Sequence, residues 1–207
     1  MKHSFHRELA DKHSVALLII DVINTMAFKE KDLLLKEAER MIQPLVELKE
    51  RVKEKGVPVI YVNDNYGAWQ SDLNHIIKQA EQGPGSWLVE ALHPQEDDYF
   101  VVKPKHSGFF STPLATLLNH LGVTTLILTG VAGNICVLFT ANDAYMRDYD
   151  VVVPEDCCAS NTKEDNDYAL RLMKNILGAT INPAHTLDID ALIEKASQRM
   201  KRALYEG

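Results

Sequence analysis

Val15-Ala16-Leu17-Leu18-Ile19-Ile20-Asp21 runs apolar for six positions and then ends on a carboxylate. A strand with one wet face alternates apolar and polar side chains, so an unbroken apolar run marks a strand covered on both faces, as in a parallel sheet. Comparable runs recur at Val57–Val62, Tyr99–Val102, Thr124–Thr129, Val151–Val153 and, more weakly, Ala179–Ile181. Between them apolar residues take helical spacing: Leu45, Leu48 and Val52, then Leu114, Leu117, Leu118 and Leu121, then Ala169, Leu172, Met173 and Ile176. Strand and helix thus alternate. Right-handed crossovers then predict a three-layer α/β/α sandwich around a doubly wound, six-stranded parallel sheet of order 3-2-1-4-5-6. Gly56, Gly122 and Gly178 follow three of the helical stretches as stop signals. Pro44 falls inside another, where its missing N–H predicts a kink or a fresh start. The stretch 66–98, with Gly83-Pro84-Gly85, is longer than a minimal crossover and is a candidate pocket wall.

No Pro/Gly/Ser-rich linker interrupts the 207 residues, which read as a single domain over 1–207. A hydrophobic content of 46% against 25% charged supports a large buried core. The net charge is -7 and the basic residues are scattered, which argues against nucleic acid or an anionic membrane as partner. The apolar runs are far shorter than the ~20 residues of a bilayer span, and residues 1–14 lack an apolar signal core, so a cytoplasmic location is expected. Three cysteines, two of them adjacent at Cys157 and Cys158, form neither a disulfide framework nor a Cys/His zinc pattern and fit a reducing compartment.

Ligands of doubly wound sheets bind beyond the carboxyl ends of the strands, where the strand order reverses, here between the first and fourth strands. Asp21 stands at the end of the first strand, where desolvation would raise its pKa toward that of a useful base. An N-cap or turn role is an equal alternative. Cys136 follows the turn Gly130-Val131-Ala132-Gly133-Asn134-Ile135 at the expected start of a helix. Helix amides and dipole there would lower the thiol pKa and could hold an oxyanion, whereas the alternative is a small buried core residue. Lys103 ends the third strand, two strands or roughly 10 Å from the first. A long side chain reaching inward would pair with Asp21; a solvated strand end is the alternative.

Ala16-Leu17-Leu18-Ile19-Ile20-Asp21, Val101-Val102-Lys103-Pro104-Lys105-His106-Ser107-Gly108-Phe109 and Gly130-Val131-Ala132-Gly133-Asn134-Ile135-Cys136-Val137 together resemble the isochorismatase-like cysteine hydrolases, in the same order along the chain. The resemblance implies a triad in which Asp21 takes the thiol proton, Cys136 is the nucleophile and Lys103 is the charge partner of both. It implies a thioester intermediate and release of ammonia or an amine. It also implies a cis peptide joining Val131 to Ala132, with the Ala132 and Cys136 amides as the oxyanion hole. Two positions depart from the family pattern, which often has Gln at the place of Ile23 and Thr at the place of Gly133. Nicotinamidase-like members carry an Asp-x-His metal site after the second strand; this chain has Asn63-Asp64-Asn65-Tyr66, with His75 the only nearby histidine, and no metal is expected. Members acting on isochorismate usually lack the cysteine.

The expected activity is hydrolysis of a C–N bond in a small amide, ureide or carbamoyl substrate, without a cofactor. Isochorismate- or nicotinamide-type hydrolysis, a non-catalytic binding module and a thiol redox protein are the rival readings. Candidate substrate contacts are Asn24, Phe28, Asn65, Trp69 and Phe109, with Asn63 as a further one. Each asparagine is equally a turn former, and each aromatic equally a core or interface residue. His106, His120, Cys157 and Cys158 read as ordinary positions. The resemblance also implies a homodimer or homotetramer, with the segment Leu192–Leu204 as a candidate contact.

Overall fold

A computed structural model of the chain describes residues 14–65, 67 and 72–205. The apolar run Val15–Ile20 forms β1 at the centre of a parallel sheet. It is flanked by β2 (Val59–Asp64) and β4 (Thr125–Val131), with β3 (Tyr99–Lys103) beyond β2 and β5 (Asp150–Val152) beyond β4. Burial on both faces explains the missing alternation. Val15, Leu17 and Ile19 enter one core with α1 (Lys31–Glu54), α2 (Leu73–Ala80), α3 (Ser86–Ala91) and α7 (Ile189–Tyr205). Ala16, Leu18 and Ile20 enter the other, with α4 (Leu114–Leu121), α5 (Leu138–Tyr145) and α6 (Lys163–Leu177).

The α/β/α sandwich and the order 3-2-1-4-5 agree with the expectation, but the sixth strand lies elsewhere. It is Cys158–Ala159, a two-residue β6 paired with Gly130 and Val131 of β4, in line above β5. Ala179–Ile181 contributes a single bridge, Thr180 to Val152, because β5 offers only three residues to pair with. α1 makes no fresh start at Pro44 and runs unbroken for 24 residues through it. Its buried stripe continues on both sides of the proline, with Met41 before it and Leu45 and Leu48 after it, so packing supports the helix on either side. Gly56, Gly122 and Gly178 all close their helices at positive φ. Gly83 and Gly85 press onto the loop after β1: a Cβ on Gly83 would collide with the backbone of Thr25, and one on Gly85 with the Met26 side chain. The irregular stretch therefore buttresses the loop that follows Asp21.

Among the described residues, no helix is long and apolar enough to cross a membrane.

Candidate active site

Register sets the site. Ile20 of β1 pairs with Val62 of β2 and Gly130 of β4, and Asp64 of β2 pairs with Lys103 of β3, so the carboxyl ends of the four strands finish close to one level. Asp21, one residue past β1, has φ 52, a left-handed backbone that non-glycine residues seldom adopt outside constrained sites. Its N–H donates to the Val62 carbonyl at 3.0 Å, and its Oδ1 accepts the Asp64 N–H at 2.7 Å. Two bonds to the neighbouring strand thus fix the carboxylate.

Lys103 crosses β2 to reach it. Its Nζ lies 2.7 Å from Asp21 Oδ2, 3.6 Å from Asp64 Oδ2 and 3.2 Å from the Lys105 carbonyl, with the side chain fully buried. The same Nζ donates to Cys136 Sγ at 3.5 Å, and the Asp21 charge acts on the Cys136 thiol. One ammonium, one carboxylate and one thiol, far apart in sequence, therefore meet. Lys103 is a buried cation with partners, not a solvated strand end.

The approach to Cys136 runs through the peptide Val131–Ala132, which is cis, and then a π-helical turn, Gly133–Val137. The Ala132 carbonyl accepts from the N–H groups of Ile135 at 3.0 Å and Val137 at 3.2 Å. Thr140 Oγ1 donates to the Cys136 carbonyl at 2.7 Å and accepts the Gly108 N–H at 2.9 Å, tying the turn that carries Cys136 to the loop after Lys103. A wide single turn of this kind is found disproportionately at functional positions.

Burial raises the Asp21 pKa, against the lowering pull of Lys103 and of the hydrogen bond from Cys136. Burial alone would lower Lys103, but the surrounding charges of Asp21, Cys136 and Asp64 outweigh it and raise it. The thiol goes against the helix-dipole expectation: burial, then the Asp21 charge, push Cys136 up to about 12. The thiol therefore holds its proton well above the ordinary cysteine range, and the Asp21 carboxylate is the neighbouring group placed to take it.

Other expected contacts fall out differently. Phe109 is 5% exposed, with its ring 5.9 Å from Tyr149 and the Arg147 guanidinium 4.9 Å from its centroid, so it is a core residue rather than a pocket wall. Asn24 Oδ1 accepts the Met26 N–H at 2.7 Å, and Asn65 Oδ1 the Gly67 N–H at 2.9 Å; both side-chain oxygens close turns. Asn63 is buried, its amide donating to the Ile23 carbonyl at 2.5 Å. Phe28 stands exposed on the loop between β1 and α1, and Trp69 lies outside the described residues. Two neighbours of the triad were missed in the sequence. Asp64 is placed there as the register partner of Lys103; His106, three residues past Lys103, places Nδ1 3.9 Å from Cys136 Sγ and its ring 5.7 Å from Phe139. Cys157 and Cys158 are buried, and burial raises both thiols.

The residues that follow β2 do not fit the metal site of nicotinamidase-like proteins. The Asp64 carboxylate faces an ammonium, Asn65 closes a turn, and among the described residues no three His, Cys, Asp or Glu side chains are gathered as a metal would require.

This sheet, with its strand-end acid, spanning lysine and turn-mounted cysteine, belongs to the isochorismatase family of hydrolases: the isochorismatase domain matches residues 15–184. Among its relatives is the uncharacterized isochorismatase family protein YaaI of Bacillus subtilis (strain 168), 47% identical over 172 residues, which cover 83% of this chain and 93% of that protein. The fold is also similar to N-carbamoylsarcosine amidase from Thermoplasma acidophilum, with a TM-score of 0.67 and 26% identity over 84% of this chain and 99% of that one. The nicotinamidase SaPncA of Staphylococcus aureus gives a TM-score of 0.63 and 26% identity over 82% and 99%. Both of these structural relatives are amidases.

Proposed function

We propose that this chain hydrolyses a C–N bond of a small amide, ureide or carbamoyl compound through a thioester on Cys136. The observation that carries the reading is the Lys103 ammonium, 2.7 Å from Asp21 and 3.5 Å from Cys136 Sγ. Sγ attacks the substrate carbonyl carbon as the Asp21 carboxylate takes the thiol proton, and the Ala132 and Cys136 amides receive the developing oxyanion. Collapse breaks the C–N bond, and Asp21 returns its proton to the departing nitrogen, releasing ammonia or an amine. Water then attacks the thioester, giving a proton to Asp21; the acyl group leaves as its acid and the proton returns to Sγ. Lys103 stays charged throughout and favours the carboxylate form of Asp21 before each proton transfer. The amidase relatives support the C–N class. Isochorismate-type hydrolysis is disfavoured by the cysteine, and nicotinamide by the poor fit of Asp64 and Asn65 to a metal.

The test is ammonia release from a panel of small amides, ureides, N-carbamoyl amines and nicotinamide, with mass spectrometry of the trapped acyl-enzyme. Cys136→Ala abolishes turnover and the acyl adduct without loss of fold. Asp21→Asn lowers kcat/KM by about 100- to 10,000-fold. Substantial turnover in either variant sinks the mechanism.

A further inference from the structure

Behind the nucleophile turn lies a set of buried polar side chains that the chemistry above does not use. The Asn134 N–H, in the π-turn two residues before Cys136, donates to Ser160 Oγ at 3.0 Å. Ser160 Oγ donates to Asn166 Oδ1 at 3.0 Å, and the Asn166 amide nitrogen donates to the Cys158 carbonyl at 3.3 Å. Ser160 is 0% and Asn166 8% exposed. Such a chain is costly to build inside a fold unless every member is satisfied, and here each donor meets an acceptor. Its far end is anchored to β6, which pairs with Gly130 and Val131, the residues that lead into the turn. The same α6 side chain thus holds the strand before the turn and, through Ser160, the turn itself.

Gly133 gives a second, independent observation. A Cβ at that position would collide with Asn166 Oδ1, well under 3.0 Å away, and come within 3.2 Å of Ser160 Oγ. The first residue of the turn is bare where the Asn166 side chain occupies its space. A 300 Å³ cavity lined in part by Arg40, Cys158, Ser160 and Asn166 opens behind this pair and includes none of the triad. The pair therefore borders a space that Asp21, Lys103 and Cys136 do not line.

We infer that Ser160 and Asn166 are positioning residues that set Cys136 against Asp21 and Lys103, with Asn166 and the bare Gly133 forming a matched pair. The inference rests on Cys136 as the reactive thiol, not on the identity of the substrate.

The test compares the wild type with Ser160→Ala, Ser160→Thr, Asn166→Ala, Gly133→Ala and the double variant Gly133→Ala/Asn166→Ala. The rate of Cys136 alkylation by iodoacetamide is followed by mass spectrometry from pH 6 to 10, beside kcat, KM and Tm. Because a displacement of about 1 Å is enough to cost around 100-fold in rate, Ser160→Ala and Asn166→Ala are expected to lower kcat at least tenfold with KM within about twofold, and to change the pH profile of alkylation. Ser160→Thr keeps the bridging oxygen and recovers most of the loss. Gly133→Ala is as impaired as Asn166→Ala, whereas the double variant, with room for the new methyl group, regains alkylation relative to Gly133→Ala alone. A wild-type alkylation profile in Asn166→Ala, or a Gly133→Ala defect of the same size with or without Asn166, overturns the proposal. If no amide in the panel is turned over, the amidase reading fails, while the alkylation profiles and the double-variant comparison still decide the positioning one.

Discussion

Lys103 is the residue on which most of the electrostatics turns. Its ammonium is fully buried, and Asp21, Asp64 and Cys136 surround it. Replacement by an apolar isostere leaves a desolvated carboxylate unpaired, so Lys103→Met is expected to destabilise the fold by about 3–5 kcal/mol in denaturant titration. The same change removes the influence that most opposes the burial-raised pKa of Asp21. The acid limb of the kcat/KM profile, which already lies above the ordinary carboxylate value, therefore moves to still higher pH in Lys103→Met; a limb that stays in place excludes Asp21 as the base. Asp21, Lys103 and Cys136 were legible in the sequence because each closes or follows an apolar strand. The direction of the thiol shift was not, because the helix dipole is visible in a string of letters and burial beside a carboxylate is not. Phe109 stayed open between pocket and core for the related reason that an aromatic after a strand end looks the same whichever way it turns. Ser160 and Asn166 carried no local signal, since what defines them is a gap left at residue 133.

Among the elements, the strands were the easiest to foresee, because a parallel strand buried on both faces has to be apolar along its length. β6 escaped notice because two residues, Cys158 and Ala159, carry no period, and their partner is set by where β4 overhangs β5. α1 shows the opposite case, in which a strong local signal at Pro44 is overridden by packing on both sides. The proline still lacks the N–H that would bond the preceding turn. Pro44→Ala restores that donor and gives up only the smaller entropic benefit of proline in the unfolded chain, so it is expected to stabilise by about 2 kcal/mol, read as a rise in Tm of about 4 °C or more. A fall in Tm would show that the ring itself packs productively. At the other end of α1, Lys49 meets Asp98 at 3.1 Å and Tyr61 Oη at 2.9 Å, and Lys53 meets Asp98 at 2.7 Å. These bonds fasten the helix to the segment leading into β3, and so help fix where Lys103 begins its reach.

Taken as a whole, the molecule holds three thiols whose protons burial retains, Cys136 and Cys158 each pushed up to about 12 and Cys157 also raised, from an ordinary value of 9.0. Above pH 9 the unfolded chain releases these protons while the native protein keeps them. The unfolded state then binds fewer protons, so stability falls as pH rises through the window from 9 toward 12. Tm measured from pH 8 to 10.5 is expected to decline, and less steeply in Cys136→Ala; a flat profile would contradict the burial of these sulfurs. The spanning lysine has a consequence of another kind. Because β2 lies between Asp21 and Lys103, their contact works as a gauge of how far apart three neighbouring strands sit, and a slight splaying at the mouth parts the pair while the hydrophobic layers below remain closed. Heat or mild urea should therefore silence the enzyme before circular dichroism registers any melting, and inactivation that tracks global unfolding point for point would show that the gauge is no more fragile than the sheet it measures.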